Sequence, residues 1–88
     1  MCTGISRTAP VAGEAKGADG WFHVTTATVG FDHGAHGSEE HALLLDFANY
    51  GLGTHARVAV ELDIESGRAL LEQLRSTIEE AEATGLAG

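Results

Sequence analysis

Cysteine is almost absent from this chain: Cys2 is the only one among 88 residues. No disulfide can reinforce the fold within one chain, and a bridge would need two copies. That usage fits a reducing compartment or a free thiol. Basic residues are scarce too. Arg7, Lys16, Arg57, Arg68 and Arg75 are scattered against thirteen acids, for a net charge of −8. Nucleic-acid binding needs clustered Lys and Arg to displace counterions from phosphates, so neither a nucleic acid nor an anionic membrane is an expected partner. Long apolar runs are also missing. Nothing approaches the ~20 residues of a spanning helix, and residues 1–10 lack the apolar core of a secretory signal. The expectation is a cytoplasmic chain whose acidity serves solubility.

The length bounds what remains. Residues 1–88 are enough for one domain with a thin core. Hydrophobic periodicity predicts an antiparallel four-stranded meander with one C-terminal helix, an α+β fold with the sheet in 3–62 and the helix in 64–84. The first strand is weak: Ile5, Ala9, Val11 and Ala15 alternate, and Pro10, the single proline, confines it to an edge. Lys16-Gly17-Ala18-Asp19-Gly20 supplies turn chemistry. The second strand, 21–31, is rich in β-branched residues, with Trp21, Ala27, Val29 and Phe31 on one face. The third, 41–49, is apolar on both faces from Ala42 to Leu45, which suits a central position. The fourth, 56–62, turns Val58, Val60 and Leu62 inward and Arg57 and Glu61 outward. Trp21, Phe31 and Phe47 read as core aromatics.

The helix carries the clearest signals. Asp63 is its expected N-cap and Gly85 its left-handed stop. Leu70, Leu71, Leu74, Ile78 and Ala81 make one apolar stripe, with Glu72, Arg75, Glu79 and Glu82 on the wet side. Gly67 near the start reads as a small cost. One helix covers one sheet face. The opposite face would carry Phe22, Val24, Ala42, Leu44, Ala48 and Tyr50, a patch of the kind that marks an interface, here expected to be that of a two-fold homodimer.

Candidate chemistry gathers in one loop. His33, His36 and His41 stand close together between Phe31 and Ala42, among Gly34, Gly37, Asp32, Glu39 and Glu40. Imidazole is the commonest side-chain metal ligand, glycine lets a loop curl inward, and the carboxylates can add an oxygen ligand or orient a ring. The spacing matches no familiar zinc module. In a meander, the chain start, this loop and the Asp63 helix start fall at one end of the sheet, while His23 and His55 fall at the other. Cys2, His33, His36 and His41 are therefore the expected ligand set for zinc or another transition metal. Cys2 has two readings: a nucleophile or chelator with a free α-amine once Met1 is removed, or a small apolar residue beside a retained Met1.

The opening Met1-Cys2-Thr3-Gly4-Ile5 resembles the start of the cysteine N-terminal nucleophile hydrolases, a resemblance that implies a nucleophilic role for Cys2 alone, in a fold several times longer than this chain. The whole chain is similar to a group of small actinobacterial proteins. The matching stretches are Met1-Cys2-Thr3-x-Ile5, Trp21-Phe22-His23-Val24, Phe31-Asp32-His33, Glu40-His41-Ala42-Leu43 and Asp46-Phe47. That group brings no activity with it. Three roles stay open: a small-ligand or metal-binding accessory protein, a dimeric interaction module without chemistry, and a small enzyme using Cys2, or His41 or Glu40 in acid–base work.

Overall fold

The computed structural model describes residues 3–35 and 40–88. Among them, four strands and one α-helix follow in order: β1 (Ile5–Gly17), β2 (Gly20–His33), β3 (His41–Ala48), β4 (Arg57–Leu62) and α1 (Ile64–Ala83), with a single 3-10 turn at Tyr50–Leu52 between β3 and β4. The strands pair as neighbours in chain order, β1-β2-β3-β4, each pair antiparallel. This is the α+β meander with a C-terminal helix that the periodicity predicts. No helix among the described residues is long and apolar enough to cross a membrane.

Pro10 lies on the edge strand, opposite Thr26, and the register slips between Pro10 and Gly13. A residue that cannot donate to the ladder is tolerated there, and the bulge bends the strand. The β1–β2 hairpin closes at Gly17↔Gly20, with Gly20 at φ 113°, a conformation that suits glycine. This hairpin outruns the other strands: the last β2–β3 pair in that direction is Thr26↔Ala48. Its tip brings Trp21 and Phe22 beside Leu52 and His55. Asn49 fastens it, donating to the His23 carbonyl at 2.9 Å while accepting from the Gly51 N–H at 3.1 Å. Trp21 stays 71% exposed at this tip. Alternation assigned it a face, but the strand segment carrying it runs past the end of β3, so the core does not reach it.

Register assigns the two faces. Val29, Leu45 and Val60 are cross-strand neighbours, as are Phe31, Leu43 and Leu62, and α1 lies on this side, with Ile64, Leu70 and Leu74 flanking the same groove as Val29, Leu43 and Leu45. The other side carries Thr28 opposite Asp46 and Leu44 opposite Glu61. Asp63 caps α1, its Oδ1 accepting the Ser66 N–H at 2.7 Å, and Gly85 at φ 75° ends it.

Two packing expectations change. Val24, Ala42 and Ala48, half of the patch assigned to a dimer interface opposite the helix, are buried within the single chain, with Ala56. Conversely, the helix stripe is only partly used. Leu71, Leu74 and Ile78 are 65%, 52% and 54% exposed. The helix meets the sheet through its first turns, where it touches β3, and then runs past it.

Candidate functional site

Antiparallel pairing makes the site. β2 ends and β3 begins at the directly opposed pair His33↔His41, so two histidines separated by a loop in sequence become neighbours on the same sheet face. Their rings stack with centroids 4.5 Å apart and planes 30° apart. Phe31, one step diagonal, also stacks on His41 at 5.6 Å and 24°. Asp32 belongs to the alternate face, yet its Oδ1 accepts the His33 N–H at 2.8 Å. This folds the carboxylate back toward the strand end. As a result, one donor atom each from Asp32, His33 and His41 lies within 4.8 Å of the others. A tetrahedral zinc ion with bonds near 2.0–2.1 Å holds its donors roughly 3.3 Å apart. Small side-chain rotations would close that difference, and His33 is exposed enough to make one.

The loop above is anchored from β4. The Glu61 Oε2 accepts the Ala35 N–H at 2.9 Å. A Cβ on Gly34 would meet both the Ala42 Cβ and Glu61 Oε1 at 3.2 Å, so the glycine lets the chain lie down on the sheet end. Glu61 read only as an outward residue in the sequence. Its position opposite Leu44, two residues from Ala42 and on the same face, follows from the β3–β4 register, which the sequence pattern leaves open.

Below this rim, on the face away from α1, a hollow of about 330 Å³ is lined by Thr28, Asp32, His33, Asp46, Arg57 and Glu61, among others. Arg57 Nε donates to Asp46 Oδ2 at 2.5 Å, and the carboxylate keeps the guanidinium charged, raising its pKa further. The other Asp46 oxygen, Oδ1, is buried without a hydrogen-bond partner. Three carboxylates against one guanidinium leave the hollow with a cation-attracting balance.

The expected ligand set divides accordingly. His33 and His41 come together, and Asp32, weighed as an oxygen donor, joins them. His36 and Cys2 lie outside the described residues, as does Glu39. Thr3, next to Cys2, is described: its hydroxyl donates to the Phe31 carbonyl, which ties the chain start to the end of β2. Together with Leu43↔Leu62, this brings the chain start, the histidine hairpin and the start of α1 to one end of the sheet. Glu40 is exposed and outside the Asp32–His33–His41 group. His23 pairs with Glu14 at 3.0 Å near the opposite end.

A family model matches residues 1–87, nearly the whole chain. The chain belongs to DUF6295, a family of unknown function. No curated protein and no solved structure matches it. Membership of DUF6295 therefore brings no substrate or reaction to the rim.

Proposed function

We propose that the β2–β3 rim binds a divalent transition metal, with His33, His41 and Asp32 as its protein ligands. The single observation that carries this reading is the convergence of two imidazoles and a carboxylate within 4.8 Å. Imidazole with carboxylate suits zinc, nickel, copper and iron better than magnesium or calcium. Asp32 already accepts the backbone N–H of His33, which restrains it as outer hydrogen bonds restrain metal-ligating carboxylates generally. His36 and Cys2 are the sequence's further candidates for the remaining positions. Asp32 and His33 also line the polar hollow, which would let a small ligand approach the ion from that side.

Untagged protein titrated with zinc in a calorimeter is the direct test. One equivalent per chain is expected for wild type, with uptake lost or weakened at least about tenfold in His33→Ala and in His41→Ala. Uptake that neither variant changes, or none at all, rejects the metal.

A second reading has its own observation. Phe31, His41 and His33 form a continuous stack along the strand ends, an arrangement that supports a purely structural cap in a non-catalytic module. Under that reading, His41→Phe retains stability and the protein ignores zinc.

A further inference from the structure

We infer that a second copy of this chain covers the helix-bearing face of the sheet, so that the folded unit is a two-fold dimer in which each α1 shields apolar surface of its partner. The inference rests on surface and does not depend on the metal.

A compact 9.1 kDa monomer exposes about 4,900 Å², whereas this chain exposes 6596 Å². The excess, about 1,700 Å² for one protomer, is at least what a stable interface takes from each partner and falls in the range of obligate dimers. The dimensions agree. The radius of gyration is 14.7 Å, against about 12 Å for a compact chain of this length.

Part of the exposed surface is apolar and gathers in one place. Leu71 and Leu74 line the open groove between α1 and the sheet, Ile78 continues the stripe a turn further on, and Val29 and Val60 lie exposed on the sheet face. Each chain thus offers a helix stripe with too little sheet beneath it and a sheet face with too little helix above it. A two-fold axis satisfies both at once, because such an interface is self-complementary. The intrachain core gives the physical motive: among the described residues its buried apolar side chains are Val24 and three alanines, little to hold a domain of this size. This face is the opposite of the one that hydrophobic patterning alone selects.

Sedimentation equilibrium of wild type, with Ile78→Glu on the helix stripe and Ala59→Glu on the far sheet face, tests the inference. The two-chain mass is expected for wild type and Ala59→Glu, and its loss for Ile78→Glu. Wild-type Tm should rise with protein concentration. In a lone chain Ile78→Glu alters an exposed position and leaves Tm within a few degrees, so a large fall in Tm, or failure of the variant to fold, supports the interface. A one-chain mass for wild type at about 100 μM with a concentration-independent Tm overturns the inference. So does a dimer broken by Ala59→Glu and kept by Ile78→Glu.

Discussion

Gly67 of α1 rests directly on Leu43 of β3: a Cβ built on the glycine would drive into the Leu43 Cδ2. A glycine that looks costly inside a helix is here the condition for the helix to approach the sheet. Gly→Ala in a helix ordinarily gains roughly 0.5–1 kcal/mol. At this position the gain is expected to be cancelled or reversed, because Leu43 must move away from α1. In a Leu43→Ala background the gain should return. A double-mutant cycle by urea unfolding reads the coupling, expected at about 0.5 kcal/mol or more. Simple additivity would mean that the helix does not seat on Leu43.

The Asp63 cap makes helix stability depend on pH. The Ser66 N–H, helped by the Ser66 hydroxyl, holds the Asp63 carboxyl below its ordinary range. A carboxyl with a folded-state pKa below the unfolded one stabilises fully above the unfolded value, near 3.9. That stability is lost as pH falls through the folded value. Thermal melts of wild type and Asp63→Asn between pH 7 and pH 2.5 should therefore converge in acid. Asn keeps an acceptor for the cap but has no charge to lose. Parallel curves would assign the acid sensitivity to other groups.

Asp46 and Arg57 form a pair whose value lies in its completeness. Arg57→Ala is expected to cost about 1 kcal/mol, since the guanidinium is mostly exposed and the bond is screened. The partly buried Asp46 would then lack its cation. Replacing both with valine should return stability to within about 1 kcal/mol of wild type, because the orphaned Asp46 Oδ1 disappears with its carboxylate. Chemical denaturation of the two singles and the double decides. A double variant worse than either single would show that the pair stabilises the sheet in its own right.

Glu61 should act on metal uptake through position. It holds Ala35 and so fixes where the chain leaves His33. Glu61→Ala is expected to weaken zinc binding about tenfold while keeping one site per chain. A Glu61→Gln variant, which retains an acceptor oxygen, should recover most of the affinity. Calorimetric titration gives both numbers. An affinity indifferent to Glu61 would remove it from the site.

Much of the fold was legible because its signals are local. Alternation at Val58, Val60 and Leu62, the double-sided apolar run from Ala42 to Leu45, the Asp63 cap and the Gly85 stop each depend on residues within a turn or two of one another. The histidine hairpin was legible as a cluster for the same reason. Short meander connections then allowed the chain start, the hairpin and the helix start to be assigned to one end of the sheet. Glu61 and the Asp46–Arg57 pair were not, because each depends on which residue stands across the sheet, and a shift of one residue changes every such partner.

The sequence by itself determined the number and order of the strands and the α-helix, the ends of that helix, and that histidines and carboxylates gather between β2 and β3. Periodicity and capping are properties of neighbouring residues, and 88 residues leave few ways to connect four strands and a helix. Tertiary structure alone decided which histidines face each other, that Asp32 turns back to meet them, and how far α1 travels before it leaves the sheet. Those outcomes depend on register and on a single close approach at Gly67, set by distances between residues far apart in the chain. Hence the helix stripe, visible as apolar in the sequence, is largely left uncovered by its own chain.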